Sequence, residues 1–509
     1  YDKKFIVKYT VGFDSFSEYV LGNKNNQECS PEWASKITNI PVKKIYELAD
    51  QIISKKTMIS LSWSLQRASS GEQPLWMGIT LAAMLGHIGT ASGGFGFGYS
   101  SVNSTGDSFN RMPWQSLPQG KNKIRDFIPV ARVTDMLENP GGEFDYDGKK
   151  LTYPDIKLIY WAGGNPFHHH QDLNRLVKAW QKPNTIIVNE IWWNSQARHA
   201  DIIFPANTAL ERNDLMLNPR DPTLIANKKA MESFHNSKTD YEIFSGLAKE
   251  LGFLEAFTEN KDELDWIKFI WDSSSKAHQR KDVSFPKFED FWEKGFFELP
   301  KPETEKVMLN DFRKDPNKFP LNTPSGKIEI SSATIANFEL TDCFSHPYWF
   351  EPYEWLGNAN KYPLHLISNQ PKHRLHGQLD NASGSLDNKI NGKEPVMINS
   401  LDASNRDIEN GDIVMLYNAR GKVLAGANIS DNVMPGVVVL STGAWFDPDY
   451  DLELEKHGNP NVLTKDVGTS SLSQGPTCHT TLVELRKANK KEISEVSIFK
   501  SPEMLSKRS

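Results

Sequence analysis

The sequence predicts a multidomain α/β protein in which parallel-sheet domains are followed by a C-terminal β-barrel. A chain of 509 residues is too long for one hydrophobic core, and about three domains are expected. In the first half of the chain, short apolar runs alternate with helical patterns, which is typical of βαβ units. Beyond about residue 360 the pattern changes to short strands separated by turn residues, which favours a barrel.

The first βαβ unit is predicted between residues 41 and 100. Residues 41–56 begin with proline and repeat apolar side chains at helical spacing, so we predict a helix. The apolar run "MISLSW" (58–63) suits a buried parallel strand, and residues 75–89 suit a mostly apolar second helix. The glycine-rich stretch 89–100 closes the unit.

A second unit of the same kind follows. Residues 156–166 predict a strand that ends in a tight turn, 169–181 a helix, and 184–193 and 200–206 two further strands. These units indicate Rossmann-like domains, in which ligands bind at the carboxyl ends of the strands. Polar side chains on that rim are therefore candidate ligand contacts, and they are Asn165, His169, Asn189 and Glu190.

Three consecutive histidines, 168–170, raise the question of a metal site. Successive side chains lie about 100° apart on a helix and on opposite faces of a strand, so the three rings cannot converge on one ion. The run alone is weak evidence for a metal. We predict no metal ligand within this chain.

The remaining sequence contains an aromatic segment and then the short strands of the predicted barrel. Residues 253–350 are aromatic and proline-rich, and we interpret them as insertions. Several short strands follow, and "NARGK" (418–422) between two apolar runs predicts a β-hairpin.

Composition excludes several classes of function. A net charge of -6 provides no basic surface for nucleic acid, and no apolar stretch of about 18 residues predicts a membrane span. The three cysteines lack CxxC spacing, so an iron-sulfur cluster, a zinc ribbon and a disulfide framework are unsupported. The chain begins "YDKKFIVKYTVGF" without methionine and reads like a piece of a longer protein.

Six stretches occur in an order that resembles the molybdopterin oxidoreductases of the dimethyl sulfoxide reductase family. The likeness is closest to the branch of biotin sulfoxide and trimethylamine N-oxide reductases, which is associated with anaerobic respiration. The stretches are "YTVGFDSFSEYVLG", "WSLQRASSGEQP", "GGNPFHHHQDLNR", "NEIWWNSQARHADIIFPANTALERND", "RLHGQLDN" and "GNPNVLTKDVGTSSLSQG".

The resemblance implies a bis(molybdopterin guanine dinucleotide) cofactor that carries molybdenum, with a C-terminal double-psi β-barrel covering the pterins. It assigns residues 1–100 to the remainder of a first nucleotide-binding α/β domain. Residues 101–350 form a second α/β domain with insertions, and 351–509 a molybdopterin dinucleotide-binding barrel. In this branch a serine from the N-terminal third of the protein ligates molybdenum, so we name no catalytic residue and no metal ligand here.

By resemblance, residues that follow the predicted strands contact the two nucleotides. Asn165 and His169 reach one cofactor arm. Trp63, Ser64 and Arg67 match the loop around the other nucleotide, where an arginine suits a phosphate.

Further matches extend to the ribose, the guanine and the pterins. Asn189 and Glu190 match the ribose-contacting pair, and Arg212 matches a cofactor-contacting arginine. Asp240 matches the acidic residue that reads the guanine donors. Gly377 replaces the serine that usually follows "RLH" in this branch. The matched pterin contacts in the barrel are Arg374, His376, Gln378, Asn459, Gln474 and Gly475.

The implied function is reduction of a small S-oxide or N-oxide, such as biotin sulfoxide, dimethyl sulfoxide or trimethylamine N-oxide, by oxygen-atom transfer to Mo(IV). A cytochrome or a thioredoxin-like protein would donate electrons. A periplasmic location is favoured over a cytoplasmic one. The alternatives are a non-catalytic scaffold homologue, or another molybdopterin enzyme such as a formate or nitrate enzyme. We expect this chain alone to be inactive.

Overall fold

The computed structural model describes residues 1–98, 114–217, 222–279, 283–300 and 307–503. Within them, small parallel sheets precede a closed six-stranded barrel, which confirms the predicted fold class. None of the helices in this part of the chain combines the length and the apolar character needed to cross a membrane. The predicted boundary at residue 100 and the end of the glycine-rich stretch lie outside the described residues, and the domain limits stay predictions.

The N-terminal region is a two-stranded parallel sheet with helices around it. Strand β2 pairs with β3 in parallel, and α5 packs on both strands, as the sequence predicts. The elements are α1 (Lys3–Tyr9), β1 (Thr10–Val11), α2 (Phe13–Val20), α3 (Pro31–Thr38), α4 (Val42–Ser54), β2 (Met58–Leu61), α5 (Glu72–Leu85) and β3 (Gly94–Phe97).

Strand β2, which the sequence predicts to be buried, is only partly covered in this chain, and the helix before it is exposed. The helix expected at 41–56 is present as α4, but none of its residues is buried and Leu48 is 59% exposed. Strand β2 is also only partly covered, and Met58 is 42% exposed. Periodicity predicts which face of an element is apolar, whereas burial requires a neighbour, and here the sheet has only two strands.

The central region contains the second parallel sheet. Strand β6 pairs with β7 and β7 with β8, all parallel, and Gly163 and Gly164 adopt positive φ in the predicted tight turn after β6. The elements up to the next antiparallel sheet are α6 (Val133–Glu138), β4 (Glu143–Tyr146), β5 (Lys149–Thr152), β6 (Leu158–Ala162), α7 (Pro166–His169), α8 (Leu173–Ala179), β7 (Thr185–Glu190) and β8 (Ile202–Pro205).

The aromatic segment forms helices around its own small core, in which Trp271 stacks on Phe291 at 4.0 Å between ring centroids. The chain then returns to the N-terminal region, where β12 pairs with β1. The elements are β9 (Asp214–Leu217), β10 (Thr223–Asn227), α9 (Asp240–Glu250), α10 (Leu254–Thr258), α11 (Glu263–Gln279), α12 (Phe288–Lys294), β11 (Phe296–Glu298), α13 (Asn310–Lys314), β12 (Ile328–Glu329) and α14 (Ala333–Ala336).

The C-terminal region is the barrel. Its six strands follow the order β14-β17-β13-β20-β15-β16, and β16 closes the barrel by pairing with β14. The predicted hairpin is the β15–β16 pair, which ends at Tyr417 opposite Lys422. The elements are β13 (Leu364–Ile367), α15 (Ser383–Leu386), β14 (Pro395–Ile398), α16 (Ser400–Ser404), β15 (Ile413–Tyr417), β16 (Lys422–Ile429), β17 (Val437–Leu440), β18 (Pro448–Asp449), β19 (Leu454–Glu455) and β20 (Leu482–Lys487).

Two positive and two negative side chains form a buried quartet beside the barrel. Lys389 Nζ lies 2.8 Å from Asp380 Oδ1 and 2.5 Å from Glu394 Oε2, and Arg374 lies 3.2 Å from Glu394 and 3.4 Å from Asp380. Each of the four side chains is at most 5% exposed. The charges balance, so removal of one carboxylate leaves a buried charge without its partner.

We predict that Asp380→Asn lowers the free energy of unfolding by about 3 to 5 kcal/mol, because it unbalances this quartet. The measurement is urea unfolding of the purified chain. Glu289→Gln, which breaks the exposed Lys268–Glu289 pair, serves as the control and should leave the free energy nearly unchanged. Equal stability of the two variants would contradict the prediction.

Candidate cofactor-binding site

The turn after β6 is fixed to the barrel by side-chain amides. Asn459 Nδ2 donates to Phe167 O at 3.0 Å, and Asn461 Nδ2 donates to His168 O at 3.2 Å. Asn165 caps α7, since its Oδ1 accepts from the Phe167 N–H at 3.0 Å. The carboxyl end of the central sheet is therefore held directly against the barrel.

The loop that carries Arg67 is docked on the same barrel. The His479 N–H donates to Arg67 O at 2.9 Å, and the Ser69 N–H donates to Thr480 Oγ1 at 2.8 Å. Because these bonds involve the backbone of the loop, they leave the Arg67 side chain free to point elsewhere. The first sheet thus contributes its loop to the surface formed by the barrel and the central sheet.

Trp63 and Ser64 precede Arg67 in a short 3₁₀ turn, Trp63–Gln66. The Trp63 ring packs 4.9 Å from the Phe97 ring, and Ser64 Oγ lies 2.8 Å from Ser62 Oγ. Both side chains are partly exposed on the same loop as Arg67.

Three histidines lie within the electrostatic influence of Arg67. Desolvation by surrounding protein atoms and then neighbouring positive charge, including that of Arg67, lower the pKa of His169 and of His479 to about 4, although part of the His169 side chain is open to solvent. The same two causes lower the pKa of His376, whose ring centroid is 4.6 Å from that of His169. The Arg67 guanidinium has no ion pair or hydrogen bond among the described residues. The structure thus places an unpaired cation among neutral imidazoles.

Several buried nitrogens of the α7 turn and of the barrel loops lack a partner. Among the described residues, no hydrogen bond satisfies Asn165 Nδ2, His168 Nε2, His376 Nδ1 or His479 Nδ1. A buried polar atom without a partner costs about 1 to 3 kcal/mol. Unpaired nitrogens on three segments of the chain, two of which lie near the free guanidinium of Arg67, indicate a surface built for a polar, anionic ligand.

A second polar group lies at the carboxyl ends of β6 and β7. Tyr160 Oη donates to Asn189 Oδ1 at 2.9 Å, and Asn189 Nδ2 donates to Asp240 Oδ1 at 2.8 Å. Asp240 is exposed at the start of α9, so its second carboxylate oxygen is available to a ligand. Burial raises the pKa of the adjacent Glu190, whose Oε1 accepts from the Ile191 N–H.

Arg212 lies near the end of β8. Its Nε is 3.2 Å from Asp214 Oδ2, and its Nη1 donates to Asn207 O at 3.2 Å. The preceding segment bridges to Lys238 through Ala206, which places Arg212 and Asp240 at the same end of the sheet.

Two of the predicted pterin contacts are occupied by protein partners. Arg374 belongs to the buried quartet and also donates to His376 O at 3.1 Å. Asn459 is fully buried, and its Nδ2 donates to Phe167 O and Ala444 O. These two side chains position the loops of the site, and their direct contact with a pterin stays a prediction.

The other predicted barrel residues are more accessible. Gln378 is exposed next to His376. Gln474 donates to Asp145 O at 2.8 Å and lines a polar pocket of about 440 Å³, and the Gly475 N–H donates to Thr469 Oγ1 at 3.1 Å. The fifteen predicted residues thus belong to three parts of the site, which we name after Arg67 on the first loop, Asp240 at the end of the central sheet and Gln474 in the polar pocket.

The sequence analysis missed His168, His479 and Tyr160. His479 follows the matched "SQGP" segment closely, and Tyr160 lies on β6 just before the turn, so proximity to a motif was the available signal. The three consecutive histidines point in different directions, since His168 and His170 are buried and His169 is exposed. The described residues contain no group of three His, Cys, Asp or Glu side chains arranged to hold a metal ion.

Two family models match the chain. A molybdopterin oxidoreductase model matches residues 25–250, and a molydopterin dinucleotide binding domain model matches residues 364–482. The chain is also similar to solved acetylene hydratase from Pelobacter acetylenicus, with a TM-score of 0.67, 15% identity, and coverage of 96% of this chain and 68% of that one. At that identity the likeness shows the fold alone.

Several reductases are similar over most of the chain. Biotin sulfoxide reductase of Cereibacter sphaeroides is 45% identical over 95% of this chain and 65% of its own length. Dimethyl sulfoxide/trimethylamine N-oxide reductase of the same species is 42% identical, over 99% and 63%. Trimethylamine-N-oxide reductase of Haemophilus influenzae is 42% identical, over 99% and 64%. The chain thus spans less than two thirds of the length of these relatives.

We predict that Asp240→Ala weakens retention of a guanine dinucleotide in the whole protein by about 1 to 3 kcal/mol, because it leaves the base donors unpaired. The variant also removes the acceptor of Asn189 Nδ2. The measurement is guanine nucleotide released per protein after denaturation. Asp290→Ala, at the start of α12, is the control and should retain the nucleotide. Normal nucleotide content in Asp240→Ala would refute the role of this residue.

We also predict that acid destabilises the chain between about pH 6.5 and pH 4. Burial lowers the pKa of His168 to about 3 and of His170 and His457 to about 4, from 6.5. Below pH 6.5 the unfolded chain binds protons that the folded chain excludes, so stability falls with pH. Each histidine contributes a loss of about 1 to 2 kcal/mol at pH 5 relative to pH 7.

Urea unfolding at pH 7 and pH 5 measures this loss. His457→Asn keeps a donor for Trp445 O but cannot take up a proton in this range, so its pH dependence should be shallower. Substitution of the exposed His235 by glutamine should leave the pH dependence as it is in the wild type. A stability that does not change between the two pH values would show that these histidines do not oppose protonation.

Proposed function

The chain belongs to the molybdopterin oxidoreductase family, and on that premise we propose that the whole protein reduces a small S-oxide or N-oxide by oxygen-atom transfer. The observation that carries the proposal is the proximity of unpaired Arg67 to His376 and His479, each of which has an unsatisfied ring nitrogen. The relatives named for biotin sulfoxide, dimethyl sulfoxide and trimethylamine N-oxide reduction support this substrate class.

The residues present fit a bis(molybdopterin guanine dinucleotide). Arg67 offers an unpaired guanidinium to a phosphate, and Asp240 offers a free carboxylate oxygen to the amino and imino donors of guanine. Glu190 lies where a carboxylate accepts from sugar hydroxyls. When bound, this cofactor supplies the two-electron oxygen-atom transfer chemistry of its molybdenum.

The neutral histidines determine how the chain binds such a group. With their pKa values near 4, His169 and His479 stay uncharged at neutral pH and can each donate one hydrogen bond and accept another. Arg67 therefore supplies the fixed positive charge, while the imidazoles supply directed polar contacts. This division suits a ligand with a charged pyrophosphate and a polar heterocycle.

Two further features of the whole protein are part of the proposal. A redox protein, such as a cytochrome or a thioredoxin-like protein, donates the electrons that each turnover consumes. The periplasm is the proposed location, with the cytoplasm as the alternative. Co-purification of a redox protein and cell fractionation test these two statements separately.

The activity is tested on the whole protein with a reduced dye as electron donor and biotin sulfoxide, dimethyl sulfoxide and trimethylamine N-oxide as substrates. We expect turnover of at least one substrate and two guanine nucleotides per molybdenum. Cofactor without oxide reduction would favour a formate or nitrate enzyme. Absence of the cofactor would favour a scaffold protein.

We predict that the 509 residues expressed alone hold little molybdenum and do not reduce oxides. They span less than two thirds of the length of the reductases, and apolar side chains such as Leu48 and Met58 are exposed on the first sheet and its helices. Exposed apolar surface also favours association. Metal analysis and gel filtration of the purified chain provide the test. Stoichiometric molybdenum with turnover would show that a metal ligand lies within these residues.

A further inference from the structure

The ring of His168 occupies the space that a side chain at position 377 would need. A Cβ at Gly377 would lie 2.2 Å from His168 Nδ1 and 2.5 Å from its Cε1, far inside van der Waals contact. Gly377 cannot move away easily, because its carbonyl accepts a hydrogen bond from Trp445 Nε1 at 2.7 Å. The imidazole and a side chain at 377 are therefore mutually exclusive.

His168 is held in this place by its backbone and by its ring. Its carbonyl accepts from Thr442 Oγ1 at 3.3 Å and from Asn461 Nδ2 at 3.2 Å. The ring lies parallel to that of Trp445, with 6.2 Å between centroids, and the residue is 5% exposed. Rotation of the ring out of this position would leave a void beside Gly377.

An apolar side chain could fill the same volume without a polar atom. Instead, His168 buries Nε2 with no hydrogen-bond partner among the described residues. This arrangement lowers stability in the absence of a ligand. The atom lies in the site already described, since His168 adjoins Gly377, and His376 precedes Gly377 in the same loop. The packing of His168 against Gly377 and the energetic cost of the unsatisfied Nε2 together indicate that this nitrogen takes part in ligand binding.

We propose that His168 is a further cofactor-binding residue. Its Nε2, on α7, provides a polar contact to the cofactor. Gly377 has no side chain and cannot provide this contact. The partner is a polar edge of the molybdopterin dinucleotide that His169 and His376 flank. This inference rests on the proposed function. The proposal explains why Gly377, which leaves room for an imidazole, lies against the buried His168.

The test compares three variants of the whole protein loaded with its cofactor. His168→Leu keeps a similar volume but removes both nitrogens, and His168→Gln retains a polar atom close to the position of Nε2. His170→Leu is the matched control, because His170 is also buried with an unpartnered Nε2 but lies near Arg132 and Arg175. The measurements are the rate of guanine nucleotide release and the melting temperature of the cofactor-free protein.

We expect release from His168→Leu to be about tenfold faster than from wild type, the effect of one lost hydrogen bond. His168→Gln should restore slow release, and His170→Leu should release at the wild-type rate. Cofactor-free His168→Leu should melt at or above the wild-type temperature, because the unsatisfied nitrogen is gone.

Wild-type release from His168→Leu, or equally fast release from His168→Leu and His170→Leu, would overturn the inference and leave the proposed function intact. Failure of His168→Gln to slow the release relative to His168→Leu would also overturn it, because the role would then be packing. A wild-type protein without any guanine nucleotide would overturn the proposed function, and the inference with it.

Discussion

Hydrogen bonds between the α7 turn and the barrel loops hold the central sheet against the barrel, and the junction they create is the place where the candidate site is assembled. Asn459 and Asn461 donate to consecutive carbonyls of the turn, at Phe167 and His168. Without these bonds the end of the central sheet and the barrel would be two separate surfaces. With them, His169 and His376 face each other across a junction between regions far apart in sequence.

The polar groups at this junction belong to two classes. Every side-chain nitrogen of Asn459 and Arg374 bonds to protein atoms, so these two residues fix the loops in place. Asn165 and His376 retain an unsatisfied buried nitrogen each, and Arg67 retains its whole guanidinium. Side chains whose polar atoms are hydrogen-bonded within the protein hold the loops rigid, and the polar atoms without partners lie on these loops. This arrangement suits binding, since a ligand can then be contacted with little reorganisation of the protein.

The sequence predicted local structure well because local structure follows local patterns. Helix α4, the parallel β2–β3 pair and the β15–β16 hairpin are present where periodicity and turn residues indicated them. Burial was predicted less well, as the partly exposed strand β2 shows, because an apolar run does not specify what covers it. The position of Arg67 near His169 depends on a backbone hydrogen bond between the Arg67 loop and His479. A backbone contact of this kind cannot be predicted from residue types or from their spacing. For the same reason the sequence could not distinguish Arg374, which is paired inside the protein, from Arg67, which is not.

The position of β20 in the barrel has a consequence for biosynthesis. This strand lies between β13 and β15, although it follows both of them in the chain by many residues. The barrel cannot close until the ribosome has released residue 487, because a gap would remain between the two earlier strands. The parallel sheets can form earlier in translation, whereas the barrel side of the ligand surface is completed only after residue 487 has emerged. A ligand that contacts both the central sheet and the barrel can therefore be enclosed only once β20 has taken its place, although most of the surface around it is made from earlier parts of the chain.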